Sequence, residues 1–157
     1  MSGQPVAVVT GGAGFIGSHM VDLLLEEGFC VHVVDDMTGG HRGNLANHET
    51  NPCLKIFQHD IRKLEPGNAI FDGALYVFHF AGIGDIVPSI ERPIEYMDIN
   101  VQGTVRVLEC ARKAKVRKLV YAASSSCYGL AATPTREDHP IAPQDRKSTR
   151  LNSSHRH

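Results

Sequence analysis

The chain has almost no net charge, a formal value of -1 over 157 residues. That removes the electrostatic basis for expecting nucleic acid or a membrane surface as partner. An anionic ligand must therefore be held by local geometry rather than by a basic field. The four cysteines (Cys30, Cys53, Cys110 and Cys127) include no C-x-x-C pair, so no disulfide scaffold is expected. Three of them fall in apolar strand-like or helical runs, where a free thiol behaves as a small buried hydrophobe. The nine histidines are scattered without an H-E-x-x-H or Cys/His cluster; isolated loop or surface histidines are expected rather than a metal site. No apolar run approaches the length of a membrane span. The first one, Val6 to Thr10, breaks at once into glycines, so no signal peptide is expected and a reducing cytoplasm is the implied setting.

What is present is a chain long enough for one domain with a core, patterned as short β-branched runs alternating with longer helical ones. Val6 to Thr10 reads as a buried strand. Gly14 to Glu27 follows with Ile16, Met20, Leu23 and Leu24 at the spacing of one helical face, and Gly28 supplies a left-handed stop. Further strands are expected at Cys30–Asp35, Leu54–Phe57, Leu75–Phe80 and Lys118–Ala123, with a long helix from about Pro93 to Lys115. Near-continuous apolar strands separated by helices predict an α/β fold, a doubly wound parallel sheet covered on both faces. Right-handed crossovers give it the order 3-2-1-4-5.

Between the first strand and the first helix lies Thr10-Gly11-Gly12-Ala13-Gly14-Phe15-Ile16-Gly17, with G-x-x-G-x-x-G spacing. Gly11 permits the tight turn, Gly14 lets the backbone approach a pyrophosphate, and Gly17 lets the helix pack closely on the sheet. The helix start then offers unpaired N–H groups and a positive dipole end to phosphates. Asp35 ends the second strand, where a carboxylate takes both ribose hydroxyls of an adenosine and repels a 2′-phosphate. This favours NAD. His41 and Arg42, after a glycine pair, leave NADP open.

TGGAGFIGSH, VVDDMTGG, HDIR, HFAG, DINVQGT and VYAASSSCYG, in that order and spacing, resemble the extended short-chain dehydrogenases. More narrowly, residues 4 to 144 are similar to the NAD-dependent epimerase/dehydratase family, nearest its UDP-glucose 4-epimerase members. The resemblance implies a Rossmann fold. It implies that Gly11, Gly14, Phe15, Ile16 and Gly17 surround the pyrophosphate, and that Asp35 and Asp36 hold the adenosine ribose. Asp60 and Ile61 would frame the adenine, with the Asp60 carboxylate accepting from its exocyclic amine. Phe80, Ala81 and Gly82 would line the path to the nicotinamide, and Asn100 would support the end of the fourth strand. Ser124 matches the serine or threonine that hydrogen-bonds the sugar 4-hydroxyl, and Ser126 lies beside it on the substrate side. Without the resemblance, three serines after a strand read as a plain polar turn.

Dehydratases of the family carry an Asp-Glu pair immediately after this Ser/Thr, and decarboxylating members keep the Glu. Here the positions are Ser125 and Ser126, which cannot perform that general acid–base work near neutral pH. The resemblance therefore implies a UDP-hexose 4-epimerase, in which NAD removes and returns a hydride at C4. Some epimerases have a lysine two residues after the HFAG block; here that residue is Gly84.

The family's catalytic Tyr-x-x-x-Lys is expected shortly after TPTREDHPIAPQ. Instead the chain continues as DRKSTRLNSSHRH, and Tyr76, Tyr96, Tyr121 and Tyr128 are followed four residues on by Phe80, Asn100, Ser125 and Ala132. Residues 145–157 resemble the conceptual translation of a sequencing adapter. The expectation is an incomplete NAD-binding domain over residues 1–144 joined to a non-native tail, inactive as written and marginally folded. The complete protein would be a homodimer acting on a nucleotide sugar. A non-catalytic NAD-sensing module and the dehydratase or decarboxylase branch are the alternative functions.

Overall fold

The computed structural model describes residues 3–142, so the expectations for the tail at 145–157 lie outside the described residues. Five strands form one parallel sheet: β1 (Val6–Thr10), β2 (Cys30–Asp35), β3 (Leu54–Gln58), β4 (Ala74–His79) and β5 (Lys118–Tyr121). Their order is β3-β2-β1-β4-β5, as the alternation of apolar runs predicts. Helix α1 (Phe15–Glu26) follows β1. Helices α2 (Ile86–Glu91), α3 (Pro93–Met97) and α4 (Thr104–Lys113) lie between β4 and β5. The chain divides into two compact units at the junction of Tyr121 and Ala122. The whole sheet belongs to the first.

Why these strands are continuously apolar is visible in their two faces. Ala7, Val9, Val31 and Val33 join Ala13, Val21, Leu24 and Leu45 in one core. Val8, Val34 and Val77 point into the other, with Ile61, Leu64, Ile70, Phe71, Val107, Cys110 and Ala111. A strand buried on both faces has no polar register to alternate with. His32 lies within β2, and its Nδ1 meets the Ile70 carbonyl at 2.7 Å, which satisfies a buried ring nitrogen.

The end of α1 follows the sequence reading. Gly28 adopts φ 82°, Phe29 N–H reaches the Leu24 carbonyl at 2.9 Å and Gly28 N–H reaches that of Leu25 at 3.1 Å. These paired bonds use two of the carbonyls a helix leaves open at its C-terminus. The expected helix from Pro93 to Lys115 is instead three segments, α3, a wider π-type turn over Asp98–Gly103, and α4. Gly103 in this turn packs closely on Ile61, since a side chain there would come within 2.6 Å of its Cδ1, and Asn100 in the same turn bonds the Ile83 peptide in the loop after β4. Short α2 gave no usable periodicity at six residues.

Candidate functional site

The sheet order reverses between β1 and β4, and in open α/β sheets ligands bind outside the carboxyl ends of the strands at such a point. Gly11 leaves β1 there at φ 69°. A Cβ on it would sit 2.6 Å from Ala81 N and 2.8 Å from the Phe80 carbonyl carbon, so the loop after β4 lies directly on the glycine turn. Gly17 is tighter still: its Cβ would be 2.1 Å from the Gly11 carbonyl oxygen. A Cβ at Gly14 would meet only the Gly11 oxygen, at 3.2 Å. Gly14 is the N-cap of α1 and no side chain caps the helix. The first-turn amides of Phe15, Ile16 and Gly17 have no carbonyl in their own helix to reach. Phe15 and Ile16 project their side chains into solvent around that helix start, 79% and 61% exposed.

Asp35 locks the glycine turn to β2. Its Oδ2 accepts from Ala13 N at 3.0 Å and its Oδ1 from Met37 N at 2.9 Å. The Ala13 carbonyl in turn accepts from His41 N at 3.0 Å and Asn44 Nδ2 at 2.8 Å. Met37 is held at φ 65°, a conformation uncommon outside glycine that its Asp35 bond helps to fix. Gly40 lets the chain fold back over the carboxylate, since a Cβ there would be 2.8 Å from both oxygens. Asp36 is exposed and accepts from Thr38 N at 2.9 Å. Each Asp35 oxygen thus holds one backbone amide and keeps acceptor capacity for a hydroxyl. Uncapped helix amides beside a carboxylate of this kind fit the diphosphate and ribose of a dinucleotide.

Asp60 is engaged by a neighbouring side chain. Its carboxylate receives Arg62 N at 2.9 Å, Nε at 3.0 Å and Nη2 at 2.7 Å, and Arg62 also reaches Asp98 at 3.3 Å. The Arg62 hydrogen bonds hold the Asp60 carboxyl below its ordinary pKa range. Ile61, next to it, is buried against Gly103.

A network that single residues in the sequence did not announce ties these pieces together. Thr10 Oγ1 lies 2.6 Å from His79 Nδ1, and His79 Nε2 lies 2.9 Å from Thr104 Oγ1. The Thr104 hydroxyl donates to the Asn100 carbonyl at 2.8 Å. Having given its only proton away, Thr104 must accept from Nε2–H, so Nδ1 accepts from Thr10. Thr10 Oγ1 also accepts from Ala81 N at 3.4 Å. The Asn100 side chain pairs with one peptide of the loop after β4, accepting from Ile83 N and donating to Ile83 O, both at 2.9 Å. Burial pushes the His79 pKa down to about 4, which keeps the ring neutral and the relay intact near neutral pH.

In the second unit, Ser124 caps a short 3₁₀ turn over Ser125–Tyr128. Its Oγ accepts from Ser126 N at 3.2 Å. Within that unit the serines make the polar turn that residue type alone predicts.

Residues 7–148 match the model of the NAD dependent epimerase/dehydratase family. The UDP-glucose 4-epimerase of Mycolicibacterium smegmatis is 38% identical over 139 residues, 87% of this chain and 44% of that protein. A crystal structure of a UDP-galactose 4-epimerase superposes with a TM-score of 0.80 at 39% identity, covering 94% of this chain and 48% of the other. DesIV, a dTDP-glucose 4,6-dehydratase from Streptomyces venezuelae with NAD and TYD bound, gives 0.83 at 33% identity, covering 95% and 49%. The chain spans less than half the length of the curated relatives it matches. The sequence match, the parallel five-stranded sheet and the glycine turn beside Asp35 agree: this chain belongs to the NAD-dependent epimerase/dehydratase family.

Proposed function

We propose that the chain is the NAD-binding portion of a nucleotide-sugar 4-epimerase acting on UDP-hexoses. The observation that carries the cofactor assignment is the pairing of an uncapped α1 start with Asp35 on the adjoining strand. In this reading Gly11, Gly14, Phe15, Ile16 and Gly17 border the diphosphate. Asp35 and the exposed Asp36 take the ribose hydroxyls and disfavour a 2′-phosphate. Ile61 flanks the adenine, and Asp60 shares its Arg62-bound carboxylate with the adenine amine. Phe80, Ala81 and Gly82, held by Asn100, border the route toward the nicotinamide. Bound NAD supplies the hydride acceptor and donor; the protein supplies orientation and a proton path.

Ser125 and Ser126 favour epimerisation over dehydration, because elimination needs carboxyl acid–base groups at those positions. Overall fold does not separate the two branches, since a dehydratase superposes as well as an epimerase. Ser124 is assigned to the sugar 4-hydroxyl, with Ser126 beside it. No tyrosine of this chain has lysine four residues later, so the chain by itself binds NAD without turning over sugar.

The complete enzyme is assigned as a cytoplasmic homodimer, with neither nucleic acid nor membrane as partner. Ile94, Met97, Val105 and Leu108 are all exposed along α3 and α4, apolar surface of the kind a second subunit covers. All four cysteines are free, and among the described residues no helix is long and apolar enough to cross a membrane.

Joining residues 1–144 to the remaining C-terminal part of the Mycolicibacterium smegmatis relative tests the reaction class. Interconversion of UDP-galactose and UDP-glucose by the chimera supports the proposal. A 4-keto-6-deoxy sugar product would replace it with the dehydratase alternative.

A further inference from the structure

At the opposite edge of the sheet, the amino ends of the strands, two thiols separated by 23 positions come together. β2 and β3 run parallel with Val31 aligned to Leu54, so the residues just before them, Cys30 and Cys53, stand side by side. Val31 N donates to the Cys53 carbonyl at 2.7 Å, which fixes that alignment. Neighbouring strands lie about 4.8 Å apart, inside the Cα separation of roughly 4.4–6.8 Å that a disulfide spans. Both thiols donate to one acceptor, Gln4 Oε1, at 3.5 Å from Cys30 and 2.8 Å from Cys53. Each side chain is half-buried and Gln4 is exposed, so a small reagent has access.

We propose that Cys30 and Cys53 form a dithiol site that closes to an intrachain disulfide on reaction with a small-molecule disulfide. Its place, remote from the glycine turn, makes it independent of dinucleotide binding. The steps are the same with the two thiols interchanged. With Cys53 as the first nucleophile, its thiolate attacks one sulfur of the oxidant, forming a mixed disulfide and expelling one thiolate. Cys30 then loses its proton and attacks Cys53 Sγ, forming the Cys30–Cys53 bond and expelling the second thiolate. Two electrons pass to the oxidant, and the two protons end on the released thiols. The covalent tie joins edge strand β3 to β2 and closes the intervening loop, which restrains the unfolded chain.

The test incubates the full chain with glutathione disulfide, alkylates the remaining thiols under denaturing conditions, and maps the peptides without reduction. The expected result is a Cys30–Cys53 cross-linked peptide that dithiothreitol reverses, with Cys110 still alkylated. The thermal midpoint should rise by roughly 5 °C on oxidation. Cys30→Ser should stop at a glutathione adduct on Cys53. Phenylarsine oxide, which bridges neighbouring thiols, should bind one to one and be lost in either single serine variant. Absence of the cross-linked peptide at every oxidant ratio, or its replacement by intermolecular or Cys127-containing disulfides, overturns the proposal. If a serine variant fails to fold, the wild-type peptide map still decides.

Discussion

A methyl group at position 17 would press on the Gly11 carbonyl oxygen and on the Gly12 Cα, 2.7 Å away. Both are backbone atoms, which cannot rotate aside. Gly17→Ala is therefore expected to destabilise the fold by about 1–3 kcal/mol and to weaken NAD binding, read by thermal denaturation and titration. Gly39→Ala is the control, because a Cβ there meets nothing within 4 Å, and its stability should change by less than about 0.5 kcal/mol. His79 gives a pH prediction. Its folded pKa is depressed to about 4 from 6.5, so below pH 6.5 the unfolded chain binds a proton that the folded ring refuses. The stability this contributes is present above pH 6.5 and lost as pH falls toward 4, about 3 kcal/mol in all. Urea titrations at pH 7 and pH 4.5 should show that loss, and His79→Gln should flatten this part of the pH dependence. The close approaches at Gly11 and Gly17 were legible because each glycine carries its constraint in residue type and spacing. His79 was not. Its partners Thr10 and Thr104 stand 69 and 25 residues away, and an apolar strand containing one histidine looks the same whether or not the ring is engaged.

Among the elements, the strands were the easiest to read, since burial on both faces leaves an unbroken aliphatic run. β1 and β2 have the bounds expected of them, and the others differ only at their ends. Residues 93–115 were harder. Helical periodicity tolerates one extra residue in a turn, so the π-type segment at Asp98–Gly103 was invisible in the apolar pattern. That segment carries Asn100, whose two hydrogen bonds hold the Ile83 peptide. Asn100→Ala is expected to cost about 1–3 kcal/mol and to increase amide exchange at Ile83 while β1 and β2 stay protected. Unchanged exchange there would remove the supporting role assigned to Asn100. The Arg62 pairing with Asp60 also escaped the sequence reading, although the two stand only two residues apart. Nothing in residue type says which partner a carboxylate will choose.

For the molecule as a whole, sheet order followed from alternation of elements, so the point where that order reverses could be foreseen before any contact was known. Juxtapositions across the sheet could not. Cys30 and Cys53 carry no pairing signal in the sequence, yet they stand side by side at the start of β2 and just before β3 with a common acceptor. The apolar residues exposed on α3 and α4 predict self-association: sedimentation of the epimerase chimera should give a dimer, and Ile94→Glu with Leu108→Glu should give monomers. The central claim is that the α1 start and Asp35 together hold NAD, and calorimetric titration of the folded chain with NAD and NADP tests it most directly. The account predicts saturable one-to-one binding of NAD, at least about tenfold weaker binding of NADP (a difference of about 1.4 kcal/mol), and a comparable loss for NAD in Asp35→Asn. A chain that melts cooperatively yet takes up neither coenzyme, or binds NAD equally well without the Asp35 carboxylate, would contradict it.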